Sequence, residues 1–277
     1  MARPERPRRL VVNADDFGAS RSINQAVIGA HRDGILTSAS LIVNGDAAAE
    51  AVELARQHPR LGVGLHLTLI RGRSCLGPAA LAGMVDQRGR FSDQPVFAGL
   101  RYYFEQRRHA DLEREVAAQF ERFNSTGLVL DHVNGHLHFH MHPTVVGILL
   151  RRAEDWGIRA MRLTRDPLWL NLRLSRGHYG YRVSRALVFR GLGRWVGARL
   201  RPKGILHTDR VFGLLQDGRV DVGYLERLIP CLPPGDSELY SHPSLDEFRA
   251  EFEALIAPRV RALVEEHRVT LARYQDL

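Results

Sequence analysis

Cysteine and lysine are scarce in this chain of 277 residues. The two cysteines, Cys75 and Cys231, lie far apart and form no CxxC pair, which excludes a disulfide framework and a cysteine zinc site. A bound metal would therefore need histidine and carboxylate ligands. Lys203 is the only lysine among 39 basic residues, and arginines occur in every segment. This even spread, without a basic stripe interleaved with aromatics, argues against a nucleic-acid partner.

Long apolar runs are also missing. No stretch approaches the roughly 18 apolar residues that a membrane-spanning helix needs. The basic opening MARPERPRRL turns acidic at once in VVNADDFG, without the apolar core of a signal peptide. We therefore expect a cytoplasmic protein. The formal net charge of +8 suits an acidic partner, including an anionic membrane face, so peripheral contact with the inner membrane is compatible with this location.

Short strand-like and longer helix-like segments alternate along the chain. The predicted strands are Arg9–Asn13, Ser38–Val43, Gly62–Leu69, Leu128–His132, Arg159–Leu163, Gly204–Thr208, Glu238–His242 and Val269–Ala272. Helical spacing separates them, and one long helix is predicted over Leu245–His267. Strands joined by crossover helices run parallel, so we predict an α/β fold, a single-domain, distorted (β/α) TIM-like barrel with seven or eight parallel strands. A doubly wound open sheet is the alternative, but no G-x-G-x-x-G motif or P-loop supports its nucleotide-binding forms.

A single domain over residues 1–277 is predicted, because no repeat, low-complexity tract or linker divides the chain. Residues 70–100, rich in Gly, Asp and Arg, are predicted to form an insertion loop. Residues 167–201 mix aromatic side chains with many arginines. Two interpretations of that segment stay open: helices that cover the barrel, or a lid or interfacial patch that meets a lipid-linked substrate.

Polar side chains recur where the predicted strands end. The carboxyl ends of parallel barrel strands share one face, where active sites lie. Residues scattered over the whole sequence should therefore converge on one pocket. These residues are Asp15, Asp16, Asn44, His66, His136 and His242.

The adjacent carboxylates would point to opposite sides of an extended segment, so one can bind a metal while the other moves a proton. The plainer interpretation of Asp15 and Asp16 is a turn that caps the next helix. His66 alone would suit an ordinary buried histidine, but with Asp16 and His136 it completes an Asp-plus-two-His set typical of an open catalytic site for a divalent ion. His242 either caps the next helix or donates a proton to a leaving group.

A dense histidine run follows the fourth predicted strand. Its members share one face if the run is extended and would span roughly 33 Å, so one ion cannot bind them all. An Asn-Gly pair should turn the chain just before His136, which makes this residue the best candidate for the pocket. His132 and His142 are assigned to supporting or surface positions. His138 and His140, together with Asn44, are candidates for substrate binding.

Five segments of the sequence together resemble a known protein family. VVNADDFGAS, TSASLIVNG, GVGLHLTL, DHVNGHLHFHMHP and ELYSHP together resemble the YdjC-like carbohydrate deacetylases, in the family's order from Leu10 to about Pro243. The NGH form and the closing Tyr-x-His-Pro look most like the hopanoid biosynthesis-associated branch. That resemblance implies removal of an acetyl group from an N-acetylglucosaminyl hopanoid.

The resemblance also implies roles for individual residues. Asp15 becomes the general base. Asp16, His66 and His136 become ligands of one divalent metal ion, magnesium or zinc. His242 matches a late histidine that acts as an acid or positions substrate. The family fold is a distorted (β/α) barrel, and Asn134, where many relatives carry Asp, removes a charge beside the metal ligand.

We therefore expect a metal-dependent hydrolase that cleaves the N-acetyl amide of an amino sugar or of a glycolipid that carries one. Two alternatives stay open. A metal-dependent phosphoesterase or another amidohydrolase would suit the same carboxylates and histidines. A non-catalytic glycan or glycolipid binder would not need a base beside a metal.

Overall fold

The computed structural model describes residues 6–175, 177–216 and 218–277. The start of the basic opening segment and Arg176, inside the predicted lid, lie outside the described residues. Within these ranges seven strands form one sheet in which every pair is parallel, in the order β4-β3-β2-β1-β6-β5, with β7 beside β1. The strands are β1 Arg8–Phe17, β2 Ser38–Leu41, β3 Gly62–Leu67, β4 Leu130–Gly135, β5 Arg210–Phe212, β6 Gly235–Ser241 and β7 Thr270–Ala272.

Helices connect the strands, as the alternating pattern predicts. The helices of the described ranges are α1 Arg21–Asp33, α2 Ala48–Gln57, α3 Pro95–Phe104, α4 His109–Asn124, α5 Pro143–Arg151, α6 Leu168–Leu174, α7 Tyr179–Leu200, α8 Val222–Leu228, α9 Arg249–Ile256 and α10 Pro258–Glu266. The single long helix predicted over Leu245–His267 is wrong. Two helices meet at Ala257, because Pro258 cannot continue the first helix and is well suited to begin the second.

The sheet curls into half of a barrel, and irregular segments bridge its outer strands. The Val133 N–H donates to the Ala160 carbonyl at 3.0 Å, and the Met161 N–H donates to the Leu206 carbonyl at 2.9 Å. These contacts are isolated bridges, so the predicted strands Arg159–Leu163 and Gly204–Thr208 do not form as regular strands. The prediction of parallel strands in a distorted barrel is confirmed as a curled half-barrel.

The apolar core lies between the sheet and its helices. Strands β1 and β3 are almost continuously buried, as expected for parallel strands covered on both faces. Leu10, Val12, Phe17 and Leu65 have no exposed surface, and each such side chain contributes roughly 1.5–3 kcal/mol by leaving water. Apolar side chains along the strands thus hold the fold together, while the polar side chains singled out above lie toward the carboxyl ends of the strands.

The two segments singled out in the sequence differ in structure. The insertion predicted over 70–100 is irregular at first but continues into α3. In the 167–201 segment, Val196 and Leu200 of α7 are buried, whereas Trp169 is 81% and Val188 is 63% exposed. The end of α7 therefore covers the sheet, and the earlier part presents apolar side chains outward. No helix in the described ranges has the length and apolar character needed to cross a membrane.

Candidate metal centre and neighbouring side chains

A bulge at the end of β1 separates the two adjacent carboxylates. Ala14 pairs with Ala39 and Phe17 with Leu41, so Asp15 and Asp16 together lie opposite one residue of β2. Asp16 adopts a φ of 63°, a left-handed conformation that Asp tolerates better than most residues. A bulge of this kind redirects a side chain. The two carboxylates consequently have different neighbours, as the sequence predicts, although the backbone is not simply extended.

Asp16, His66 and His136 come together at the carboxyl ends of β1, β3 and β4. Asp16 Oδ1 lies 3.2 Å from His66 Nε2 and 3.1 Å from His136 Nδ1. The three ligand atoms all lie within 4.8 Å of one another. Burial alone would raise the pKa of Asp16, but the two neighbouring imidazoles, of His136 and His66, outweigh it and hold that pKa well below its usual range.

The surroundings of His66 suit a cation between these groups. Asn134 Nδ2 donates to Ser40 Oγ at 2.9 Å, so its Oδ1 is the atom that accepts from His66 Nδ1, at 2.7 Å. His66 Nε2 then carries a lone pair toward Asp16 and has no hydrogen-bond partner in its buried position. Two electron-pair donors facing each other, one imidazole and one carboxylate, fit a divalent ion.

Asp15 is buried in a dense set of hydrogen-bond donors. Arg162 forms a two-pronged pair with it, from Nη1 to Oδ2 at 2.7 Å and from Nη2 to Oδ1 at 2.8 Å. Asn13 Nδ2 and Ser40 Oγ also donate to Oδ1, at 2.8 and 3.0 Å, and Asn134 Nδ2 does so at 3.2 Å. Burial would raise the pKa of Asp15, but the paired guanidinium holds it far below its usual range. Asp15 is therefore an ionised carboxylate at neutral pH.

Arg162 is the main site residue that sequence reasoning missed. It has no exposed surface, and besides Asp15 it pairs with Glu238 of β6 at 2.7 Å. Both carboxylates push its pKa well above the ordinary value despite its burial. An arginine inside the predicted strand Arg159–Leu163 was a usable signal, because a buried guanidinium requires acidic partners.

His242 follows β6 at the same end of the sheet. Its backbone N–H donates to Glu251 Oε2 at 2.6 Å, and its ring lies 5.8 Å from the ring of Tyr240. The proton-donor role of His242 stays a prediction.

His138 and His140 lie in a short turn of 3₁₀ helix and not in an extended run. His138 Nε2 lies 3.0 Å from the Tyr240 hydroxyl, and Nδ1 lies 3.3 Å from Thr164 Oγ1. His140 has no exposed surface, and its Nε2 bonds the Arg162 carbonyl at 3.1 Å. Burial lowers the pKa of His138 well below its ordinary value and that of His140 to about 3. Both rings are neutral, and substrate binding by either stays a prediction.

A cavity of about 210 Å³ opens over the cluster and is lined by Asp16, His136 and Asn44. The insertion supplies much of its remaining wall, including Arg71 and Arg73. Asn44 Nδ2 donates to the Arg73 carbonyl, so this side chain links the two sides of the cavity mouth. The arrangement brings Asn44 beside the candidate ligands, as the strand-end pattern predicts.

The remaining histidines of the run serve local contacts. His132 pairs with Asp131 at 2.9 Å and stacks on Tyr274. His142 Nε2 bonds the Gly99 carbonyl at 3.0 Å. Neither belongs to the Asp16 cluster, in agreement with their assignment from the sequence.

The fold and the site define a class: an α/β protein whose parallel strands present an Asp-His-His cluster, suited to one divalent ion, at their carboxyl ends. Comparison with known proteins identifies the family. Residues 9–266 match the family described as YdjC-like protein, so the chain belongs to the YdjC-like family.

Curated relatives match somewhat more than half of the chain. A carbohydrate deacetylase from Brevibacillus brevis is 39% identical over 155 residues, which is 54% of this chain and 57% of the relative. One from Geobacillus stearothermophilus is 40% identical over 162 residues, 57% of this chain and 62% of the relative. Each match thus spans less than two thirds of the relative's length.

The fold itself recurs in a solved structure over nearly its whole length. A crystal structure from Enterococcus faecalis V583, of a protein named for cellobiose-phosphate cleavage, superposes with a TM-score of 0.74. The match covers 97% of this chain and 98% of that one at 23% identity. At this identity the likeness establishes the fold alone.

Proposed function

We propose that this protein is a metal-dependent carbohydrate deacetylase that hydrolyses the N-acetyl amide of an N-acetylglucosamine-type sugar. The observation that carries the proposal is the juxtaposition of the Asp16–His66–His136 cluster with the ionised, buried carboxylate of Asp15. The names of the curated relatives support the substrate class. A binder of glycans has no use for this pairing of a ligand cluster with a separate carboxylate.

One divalent ion, zinc or magnesium, would be held by Asp16, His66 and His136. Such an ion polarises a carbonyl oxygen and makes water more acidic. Two imidazole nitrogens with one carboxylate suit zinc better than magnesium, which prefers oxygen ligands. Asn134 fixes the His66 tautomer through the 2.7 Å bond to Nδ1, which keeps Nε2 available as a ligand.

Asp15 would accept the proton of the attacking water, and His242 would donate one to the departing amine. Arg162 keeps Asp15 ionised and fixed in orientation through two hydrogen bonds. Because the same guanidinium lowers the affinity of Asp15 for a proton, Asp15 would release to solvent the proton that it accepts, and His242 would take one up from solvent before the next turnover. Asn44, His138 and His140 are proposed to bind or position the sugar.

The finer part of the proposal concerns the substrate. We propose a hopanoid glycolipid as the substrate, because the NGH and Tyr-x-His-Pro segments resemble the hopanoid biosynthesis-associated branch of the family. Exposed Trp169, Leu187 and Val188 and the net charge of +8 support a peripheral contact with an anionic membrane.

The test is acetate release from an N-acetylglucosaminyl lipid and from chitobiose-type sugars, measured with a chelator and with added zinc or magnesium. Metal-dependent release from the lipid is the expected result. Release from free sugar alone would retain deacetylation and discard the lipid substrate. Sugar binding without acetate release under any metal condition would contradict the enzyme and favour the binder.

A further inference from the structure

A second and larger cavity lies away from the ligand cluster. It has a volume of about 490 Å³ and is formed by the connection between α6 and α7, the loop that follows β5, and α8. This volume is within the range of ordinary small-molecule sites. Three arginines and a histidine line it, namely Arg182, Arg219, Arg227 and His178.

Among the described lining residues of this cavity, three arginines face one carboxylate, so positive charge is in excess. None of its three arginines lies within salt-bridge distance of a carboxylate in the described ranges, and the one described acidic lining residue, Asp221, accepts the Tyr224 N–H at 2.7 Å as the cap of α8. Arg182 is only 2% exposed. A buried guanidinium without an anion is costly, so the cavity favours an anionic occupant.

The guanidinium groups are held in place by other contacts. Arg182 Nη1 donates to the Ser175 carbonyl at 2.7 Å, while its buried Nε has no hydrogen-bond partner. Arg227 Nε donates to the Leu174 carbonyl at 2.6 Å, and Arg219 Nη1 donates to His178 Nε2 at 2.8 Å. Because each side chain has further N–H groups, donors remain available for a ligand.

We propose that this cavity binds a phosphate-type oxyanion, a phosphate or diphosphate group of a small ester. Guanidinium forks match the geometry of phosphate oxygens, and three of them suit more than one negative charge. The proposal does not depend on the proposed deacetylase function. The cavity nevertheless has a packing connection to the candidate centre, since its lining residue Leu215 packs in one apolar cluster with Tyr240, which contacts His138.

Isothermal titration of the full chain with pyrophosphate tests the proposal. Saturable binding at one site is expected, weakened about tenfold or more in Arg219→Gln and in Arg227→Gln, as loss of a charge-assisted hydrogen bond predicts. Arg173→Gln is the matched control, because it removes an exposed arginine of α6 outside the cavity. Absence of binding, or equal weakening in the control, would overturn the proposal.

Two further measurements separate other sources of binding. His66→Ala should bind pyrophosphate as the unaltered chain does; loss of binding there would place the anion at the metal centre and overturn the proposal. Sedimentation with phosphatidylglycerol vesicles, against phosphatidylcholine vesicles, asks whether a lipid headgroup is the source of the phosphate. Vesicle binding that is lost in Arg219→Gln and displaced by pyrophosphate would support a headgroup, and pyrophosphate binding without vesicle binding would support a soluble ester.

Discussion

Asp16 and the two histidines near it form the cluster on which the proposed chemistry depends, and Asp15 lies outside it. We expect His66→Ala and His136→Ala to lose the bound ion, because each removes one of three ligands. Asp15→Asn should retain the ion while turnover falls by about 10²–10⁴-fold, the usual contribution of a general base. Metal content by atomic emission and acetate release measure the two effects.

The control for these variants is His267→Ala, which removes a histidine that follows α10 and should change neither quantity. Full metal content in His66→Ala and in His136→Ala would place the ligands elsewhere. Normal turnover in Asp15→Asn would exclude it as the base. Retained metal in Asp15→Asn also shows that the site is still folded.

Asn134 acts on the cluster through the orientation of His66. Asn134→Ala removes the acceptor for His66 Nδ1, so the tautomer with a free Nε2 is no longer favoured. Metal affinity should fall about 10–100-fold, as is typical when the partner of a ligating histidine is lost. Asn134→Asp keeps an acceptor and should bind the ion tightly. Metal titration of the unaltered chain, Asn134→Ala and Asn134→Asp measures these affinities. Equal affinity in Asn134→Ala and the unaltered chain would contradict the tautomer argument.

Asp166 is a buried carboxyl that the proposed mechanism does not use. Burial raises its pKa to about 7, although the Leu215 N–H donates to its Oδ2 at 3.1 Å. Below about pH 4 the carboxyl is protonated in the folded and the unfolded chain. Between pH 4 and 7 the Asp166 carboxyl ionises only in the unfolded chain. The free energy of unfolding should therefore fall by on the order of 1 kcal/mol for each unit by which the pH rises.

Asp166→Asn cannot ionise and should lose that dependence. Urea unfolding of both proteins at pH 5, 6 and 7 isolates the effect, because all other titrating groups are shared. The stability of the variant relative to the unaltered chain should improve as the pH rises. Parallel pH profiles would show that Asp166 ionises normally in the folded protein.

The expectation that polar residues at the carboxyl ends of parallel strands converge was sufficient to predict from the sequence that Asp16, His66 and His136 meet. It works because parallel strands align their carboxyl ends whatever their separation along the chain. It could not find the pairing of Arg162 with Asp15 and Glu238, because that contact depends on which side chains from distant strands point toward each other. It also gave no sign of the β1 bulge, which depends on the register with β2.

Among the secondary-structure elements, some boundaries are marked by the local sequence and others are not. A capping serine and a following glycine mark α1, where Ser20 Oγ accepts from the Ile23 N–H at 3.2 Å. The proline at 258 marks the break that the periodicity of the long helix concealed. The run after β4 winds into a 3₁₀ turn, with left-handed Leu137 and His138, and no sequence period predicts such a turn.

A buried carboxylate of α4 anchors the start of the insertion that borders the cavity of about 210 Å³. Glu115 of α4 is fully buried and accepts from the Cys75 and Leu76 N–H groups at 2.8 and 2.9 Å. We expect Glu115→Ala to lower the free energy of unfolding by about 1–3 kcal/mol, because two buried donors lose their acceptor. Limited trypsin digestion should cut the loop faster, since the released segment carries several arginines.

Glu113→Ala is the matched control on the same helix. Glu113 pairs with Arg151 on the surface, at 2.7 Å, and such pairs contribute about 0–1 kcal/mol. Its digestion pattern should match that of the unaltered chain. Equal cleavage rates in the Glu115 and Glu113 variants would mean that other contacts hold the insertion.

At the scale of the whole molecule, one buried network joins β1, β6 and the segment that follows β7 to the site. Arg162 bridges Asp15 of β1 and Glu238 of β6, and Glu238 accepts from the hydroxyl of Tyr274 near the carboxyl terminus. Strand β7, just before Tyr274, pairs with β1. Fold stability and site geometry therefore depend on the same residues, because the network links β1, β6 and Tyr274 beside the candidate base.

Removing the cation from this network should leave two buried carboxylates, Asp15 and Glu238, without a cationic partner. We expect Arg162→Met to lower the free energy of unfolding by about 3–5 kcal/mol, the usual cost of breaking a buried ion pair. The loss should grow from pH 5 to pH 8, because burial without Arg162 raises the pKa of Asp15, and stability then falls as the pH rises. Arg159→Met, an exposed arginine of the same segment, should change stability little. A similar loss in both variants, measured by urea unfolding, would show that the packing of the segment and not the ion network holds β1, β6 and Tyr274 together at the site.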